Sequence, residues 1–368
     1  GGGAGKSVIA VGLVAAFVGQ GRRVVPFKKG PDYIDAGWLS LAADYPCYNL
    51  DPYLMSPEAL GHSFRTQVYG RELVIVEGNR GLYDGVDAEG TFSTAELAKA
   101  LGLPVLLVVD CTKTTRTVAA LVLGCQRFDP EVKIGGVILN RVGTARHEAL
   151  VRQAVEQYTG IPVLGAMPRS KEDAFPQRHL GITPCPEHAG AEAAVQALAE
   201  KAMRYLDLAG IEKMMAPCAS ELGVSRPGAQ GAEDPVRIGI LKDAAFQFYY
   251  AENLEALIRC GAQLVEINAL TATELPQLDG LYIGGGFPET SARALSANVS
   301  FRASLKNAAE VGLPIYAECG GLIYLGESMV LADELFPLVG LFPVRFGLMR
   351  KPQAHGYTVL KVEGRNPY

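Results

Sequence analysis

Residues 1–35 read GGGAGKSVIAVGLVAAFVGQGRRVVPFKKGPDYID. Gly3, Gly5, Lys6 and Ser7 form the core of a phosphate-binding loop: small residues let backbone N–H groups curl around an anion, Lys6 neutralises charge, and Ser7 can ligate Mg²⁺. The run VIAVGLVAAFVGQG that follows supplies a helix whose N-terminus faces the anion. A loop of this kind normally follows a buried strand, and its full pattern has one more glycine ahead of position 1; the chain starts with neither, and without an initiator Met. Taken alone, the run is also compatible with a glycine-rich tail leading into a helix. The partners downstream weigh against that.

A P-loop ATPase needs acidic groups near Mg²⁺, at the C-terminal ends of neighbouring strands. VVPFKKGPDYID offers Asp32 and Asp35 just after a strand, and LVIVEG places Glu77 at a strand end. A carboxylate that ends an apolar strand is costly unless paired or metal-bound, so Glu77 is expected to function. Asp32 and Asp35 sit in a Gly-Pro turn, where Asp is also common for local hydrogen bonding.

The rest of the first two-thirds repeats the same logic. RRVVPFK, ELVIVEG, PVLLVVD, KIGGVILN and IPVLGAM are apolar runs of strand length; TAELAKALG, TVAALVLGCQRF and ARHEALVRQAVEQYTG carry helical spacing. Near-continuous apolar strands separated by helices predict a parallel sheet covered on both faces. Residues 188–208 read as a closing helix. The alternation then stops at 213–235, a stretch rich in Gly, Pro, Ala and Ser, and restarts with VRIGILK, QLVEI, DGLYIGGG and LPIYAE. The expected organisation is an α/β P-loop domain over 1–212, a linker over 213–235 and a second α/β domain over 236–368, which stops in mid-pattern at VEGRNPY.

Composition fits that reading. The chain has 368 residues, 49% hydrophobic and 20% charged, enough for two ordinary domains. A net charge of -5 with no basic run argues against nucleic acid as a partner. Seven scattered cysteines without a C-x-x-C pair point to a reducing cytosol. No run approaches the roughly 18 apolar residues of a membrane span. Cys111, Cys125 and Cys260 lie in strand or helix patterns and are expected in the core.

The second domain contains a different loop. LPIYAECGGLIYL places Cys319 after a buried strand and before Gly320, Gly321 and a helix, the layout of a nucleophile elbow. Upstream, LDGLYIGGGFPE ends a strand with Gly284, Gly285 and Gly286, whose N–H groups can face an oxyanion. The elbow needs a histidine base, and only His355 follows Cys319. His62, His147, His179 and His188 stand alone.

Several of these stretches together resemble one family. PFKKGPDYID, NLDPYLM, EGNRGLYDG, VLLVVD, GVILNRVG with RH, and IPVLGAMPR look like the amidase domain of the cobyrinic acid a,c-diamide synthase family, which is related to dethiobiotin synthetase and the partition-type P-loop ATPases. GGGFPE, AECGG and KDAAFQFYYAENLEAL (242–257) resemble that family's class I glutamine amidotransferase domain. The resemblance implies a cytoplasmic ligase that amidates a tetrapyrrole polycarboxylate, with ATP, Mg²⁺ and glutamine as cofactor and co-substrates. It implies that Gly3, Gly5, Lys6, Ser7 and Lys28 hold phosphates, Asn140 reads the adenine edge, and Ser7, Asp32 and Glu77 organise Mg²⁺. Tyr33, Ile34, Asp35 and Asp84 would line the substrate site. Cys319 would release ammonia, with Gly284, Gly285, Gly286 and Gly320 around glutamine. The base is expected in a Gly-His-Glu type motif beyond Tyr368, not at His355. A homodimer is compatible with this reading.

Two positions depart from the family pattern. Lys29 stands where FKVGPDYID is usual, and Arg80 lies in EGNRG where EGVMG is usual. Both add positive charge beside the expected substrate acids. Either they are solvated surface changes, or the substrate carries another carboxylate array, as in sirohydrochlorin, nickel-sirohydrochlorin or sirohaem. A partition-type ATPase switch shares the P-loop but leaves Cys319 unexplained. Cobyric acid synthase shares both domains, but the wording GPDYID with EGxxGLYDG argues against it.

Overall fold

In the computed structural model, residues 3–170, 177–178, 181–215, 235–349, 356–359, 361–362 and 364 are described. They form two compact units, Gly1–Glu233 with Phe248–Gly261, and Asp234–Gln247 with Ala262–Tyr368. The second half of the chain therefore lends one segment, 248–261, to the first unit.

The first unit alternates as the apolar runs predict. Helix α1 (Lys6–Gly19) is followed by β1 (Val24–Lys29), α2 (Ile34–Ala43), β2 (Tyr48–Leu50), α3 (Pro57–Val68), β3 (Leu73–Glu77), α4 (Thr94–Leu101), β4 (Val105–Asp110), α5 (Arg116–Phe128), β5 (Ile134–Val142), α6 (Ala145–Thr159) and β6 (Val163–Pro168). A short ladder of β7 (Gln177–Arg178) with β8 (Gly181–Ile182) precedes α7 (Ala191–Tyr205) and α8 (Leu208–Met214). Helix α1 is apolar on nearly every side, with Val11, Val14, Ala16 and Phe17 fully buried. A helix without a polar face must be enclosed. It packs on α7 so closely that a Cβ on Gly12 would lie 2.9 Å from the Leu198 carbonyl.

The strands form two parallel groups, ordered β2-β1-β3 and β4-β5-β6. Between β3 and β4 lies a cavity of about 380 Å³, walled by Val74, Val76, Leu106, Val108 and Leu97, with Lys6 also at its wall.

No strand or helix run singled out in the sequence covers α2, β2 or α3. β2 is only three residues long, shorter than any periodicity test can use. Ser56 caps α3 by accepting from the Ala59 N–H at 3.2 Å, with Pro57 at the first helical position. Helix α9 (Ala251–Arg259) completes the unit. Ser63 of α3 donates to Glu252 at 3.1 Å, and Tyr48 of β2 donates to Glu255 at 2.7 Å.

Burial pushes the Glu252 carboxyl up to about 7, against a hydrogen bond from Ser63 that acts the other way. A raised carboxylate value means the folded chain holds its proton more tightly than the unfolded chain. Its contribution to stability is full below the ordinary 4.5 and is lost as pH rises towards about 7. Glu252→Gln is expected to escape that loss, so that between pH 5 and pH 8 the wild type falls by ~1–3 kcal/mol relative to the variant. Urea unfolding at both pH values checks this; parallel curves would refute it.

The second unit is built on β9 (Val236–Leu241), β10 (Ala262–Ile267), β11 (Gly280–Ile283) and β12 (Ile315–Ala317), a parallel sheet ordered β10-β9-β11-β12. Helices α10 (Ala292–Ala297), α11 (Val299–Glu310) and α12 (Gly320–Leu325) accompany it. A second sheet, ordered β14-β13-β15, joins β13 (Gly326–Leu331), β14 (Glu334–Pro337) and β15 (Phe342–Gly347). Its core gathers Phe246, Leu281, Ile283, Phe301, Leu305 and Tyr324.

Cys111 is buried as expected, whereas Cys260 is exposed because it caps the C-terminus of α9. All six described cysteines are free thiols. Among the described residues no helix is long and apolar enough to cross a membrane. His179, His355, Cys218 and most of the expected linker lie outside the described residues.

Candidate active sites

The acidic and basic side chains of the first unit collect where its strands end. Lys28 and Glu77 are register partners at the C-terminal ends of β1 and β3. Both are almost completely buried. The Lys28 ammonium lies 2.6 Å from Asp35 and 3.2 Å from Glu77. Ser7, in the first turn of α1, donates to the same Glu77 oxygen at 2.7 Å. The P-loop, the GPDYID turn and the β3 carboxylate thus form one connected array, reaching from Ser7 through Glu77 and Lys28 to Asp35.

Burial pushes the Glu77 carboxyl up to about 7; Lys28 opposes this and Asp35 adds to it. Lys28 is held well above the ordinary lysine range: burial alone would lower it, but Glu77, Asp35 and Asp32 outweigh that. Lys6 is lowered, chiefly by burial. Asp32 is raised, first by burial and then by Asp35.

The other Glu77 oxygen, Oε2, is buried and has no hydrogen-bond partner. An orphaned carboxylate oxygen beside the P-loop serine fits a divalent cation, whose remaining ligands come from nucleotide and water. Among the described residues no cluster of three or more His, Cys, Asp or Glu could hold a metal alone. Ser7 and Glu77 meet; Asp32 spends one oxygen on the Asp35 N–H at 2.8 Å.

Gly5 precedes α1 at φ 87, in the left-handed region. A Cβ there would lie 2.2 Å from Asn140 Nδ2, so the loop admits only glycine. Asn140, at the end of β5, donates to the Ala4 carbonyl at 2.7 Å. The residue expected at the adenine edge therefore also braces the phosphate loop.

The expected substrate residues divide. Ile34 packs against the core around Trp38 and Leu39. Asp84 is exposed and accepts from the Gly81 N–H at 2.7 Å, closing the EGNRGLYDG turn. Arg80 is exposed at φ 45. Lys29 is only 6% exposed and donates to Asn79 at 2.9 Å, so it is not a solvated surface change. Asn79, although inside EGNRG, had no signal to mark it as the partner of Lys29. Nor did one mark Asn49 as the residue that donates to the Gly30 and Asp32 carbonyls at 2.8 and 2.9 Å and so pins the GPDYID turn.

In the second unit Cys319 adopts φ 51 and ψ -113, the strained backbone of an elbow, and is exposed. The close approach behind it requires glycine at 321, where a Cβ would lie 2.4 Å from the Ile283 carbonyl; at Gly320 a Cβ would be tight, 3.1 Å from the Gly286 nitrogen. The elbow and the three-glycine loop after β11 are therefore packed together. Next to the cysteine, Glu318 accepts from Tyr282 at 2.8 Å, a contact no motif signalled. Among the described residues this unit contains no histidine. In the first unit, His147 is occupied by the Thr114 carbonyl at 2.6 Å, and His188 packs edge-on against Trp38.

A phosphate loop backed by buried acids in one α/β unit and a cysteine elbow facing an N–H-rich loop in the other define a glutamine-using, nucleotide-binding ligase. Family models agree: residues 1–182 match the CobQ/CobB/MinD/ParA nucleotide binding domain, and 237–366 match the CobB/CobQ-like glutamine amidotransferase domain. The cobyrinate a,c-diamide synthase of Magnetococcus marinus is 44% identical over 99% of this chain and 79% of its own. That of Dehalococcoides mccartyi strain 195 is 41% identical over 98% and 80%, and that of Archaeoglobus fulgidus 40% over 97% and 78%. Among solved structures, the MinD cell division protein of Aquifex aeolicus covers 55% of this chain at 13% identity with a TM-score of 0.32, too distant to argue from. The chain belongs to the cobyrinate a,c-diamide synthase family, whose members are carbon–nitrogen ligases that take the amide nitrogen from glutamine.

Proposed function

We propose that the chain converts the a and c acetate carboxylates of cobyrinic acid, or of a closely similar tetrapyrrole, to amides. The connected array of Ser7, Glu77, Lys28 and Asp35 beside the P-loop carries this reading, together with the substrate named by the relatives.

A carboxylate and ammonia do not condense at neutral pH without a leaving group. One substrate carboxylate oxygen attacks the γ-phosphorus of ATP, the bond to ADP breaks, and an acyl phosphate forms. Gly3, Gly5 and Lys6 hold the phosphates. A bound Mg²⁺, held by Ser7 and Glu77 with Asp32 nearby, would neutralise charge on the transferring group. In the second unit the Cys319 sulfur attacks the glutamine amide carbon, with Gly284, Gly285 and Gly286 facing the oxyanion and Gly320 at the turn. Ammonia leaves and water hydrolyses the thioester to glutamate. Ammonia then displaces phosphate from the acyl phosphate. The balance is acid, ATP, glutamine and water in, and amide, ADP, phosphate and glutamate out. The free thiols suit a reducing compartment, and we assign the enzyme to the cytosol.

One observation favours a second substrate. Lys29 is buried and donates to Asn79, so the cation that departs from the family pattern is held inside the fold next to Lys28 rather than in solvent. Sirohydrochlorins and sirohaem are the alternative acids. The full-length enzyme is expected to amidate cobyrinic acid twice when supplied with ATP and amide-labelled glutamine, with one label per new amide by mass spectrometry. Labelling of a sirohydrochlorin and not of cobyrinic acid would transfer the assignment. Labelling of neither would overturn it.

A further inference from the structure

The stretch AFQFYYAEN (245–253) has no role in the reaction as described. Phe246 lies in the second unit, whereas Phe248, Tyr249 and Tyr250 belong to the phosphate-site unit. The Phe248 ring stacks on Tyr33 at a centroid distance of 4.9 Å, with planes 6° apart. Tyr250 stacks on the same ring at 4.5 Å, and its hydroxyl donates to the Pro31 carbonyl at 3.4 Å. Tyr33 is the centre of the GPDYID turn. Next to it, Asp32 accepts from the Asp35 N–H at 2.8 Å, and Asp35 in turn pairs with Lys28 at 2.6 Å.

What fixes this stretch is also visible. Beyond Tyr250, α9 is held by Glu252 on Ser63 and by Glu255 on Tyr48 and Gln67. Before Phe248, the carboxylate of Asp243 accepts from the Ala245, Phe246 and Ala269 N–H groups, and Phe246 is fully buried. The Gln247 N–H donates to the carbonyl of Gly285 at 3.0 Å, in the three-glycine loop. A Cβ on Gly286 would lie 2.0 Å from the Ala245 carbonyl. Residues three apart in sequence, Gln247 and Tyr250, are thus tied to the glutaminase loop and to the GPDYID turn within their own units.

We propose that Phe248 and Tyr250 are positioning residues for phosphoryl transfer: they clamp Tyr33, and through it set Asp32 and Asp35 against Lys28. The proposal rests on the P-loop site being the amidation site. Because the clamp is continuous in backbone with the segment that braces Gly285, a disturbance of one loop has a covalent route to the other.

The test uses full-length protein carrying F248A and Y250A together, with F248Y and Y250F as conservative controls. With ammonium replacing glutamine, the double alanine variant is expected to lose about 10–100-fold in kcat for amidation, the range of a misplaced reacting group, with KM for ATP nearly unchanged. The conservative variants retain the rings and are expected to restore the rate. Independently of turnover, hydrogen exchange at residues 32–36 should quicken about tenfold in the double variant while α5 and α6 keep their protection. Unchanged exchange at 32–36 overturns the clamp. So does an equal loss of glutaminase activity, ammonium-driven turnover and thermal stability, since that would mark a general structural role. A wild type that turns over no tetrapyrrole acid removes the functional reading but leaves the exchange result to decide the clamp.

Discussion

Cys319→Ser is expected to lower glutamine-driven amidation by at least about 10³-fold, the scale on which loss of a covalent nucleophile acts, while ammonium-driven amidation stays within about threefold of wild type. The hydroxyl sits in the same elbow but ionises far less readily than a thiol and forms an ester rather than a thioester. Serine is also nearly isosteric, so Gly320 and Gly321 keep their approach to Gly286 and Ile283 and the fold is not disturbed. Side-by-side rates with glutamine and with ammonium are the measurement. Loss of both would show that the two halves of the reaction are not divided between the cysteine unit and the P-loop unit.

Lys28→Met is expected to destabilise the first unit by ~3–5 kcal/mol, the cost of leaving buried charge without its partner, and to abolish nucleotide-dependent turnover. The size of the effect follows from burial. Lys28 is 3% exposed and compensates Glu77 and Asp35 together. Methionine fills most of the volume, so a cavity contributes little. The control is Arg141→Met: it breaks a pair with Asp110 whose side chains are 42% and 34% exposed and is expected to cost less than ~1 kcal/mol. Denaturant unfolding followed by circular dichroism separates the two. Equal losses would mean that the Lys28 array is screened by water and does not organise the site.

How much of this was legible beforehand depends on the range over which each signal acts. The parallel strands announced themselves through apolar runs, because a strand covered on both faces has no polar positions to interrupt it. The P-loop and elbow were legible for a similar local reason: their glycines answer to backbone conformation and close approach within a few residues. Gly5 answers to its own φ of 87, but also to Asn140, 135 positions away, which only folding brings beside it. Lys29 could be read as a solvated surface change until the fold showed it buried with Asn79 at its amine. Phe248 and Tyr250 lay in the motif at the start of the expected second domain, yet they stack on Tyr33 in the first unit.

By itself, the order of residues determined the two α/β units, the glycine-rich loop ahead of α1 and the cysteine elbow, since each depends on periodicity or on residue types close together in the chain; the reaction class came from the motifs' resemblance to a family. Only the tertiary structure decided which acids share Lys28, why the P-loop admits no side chain at Gly5, and to which unit segment 248–261 belongs. Those are matters of charge and contact between distant positions, whose energies exist only once burial has removed water from around them.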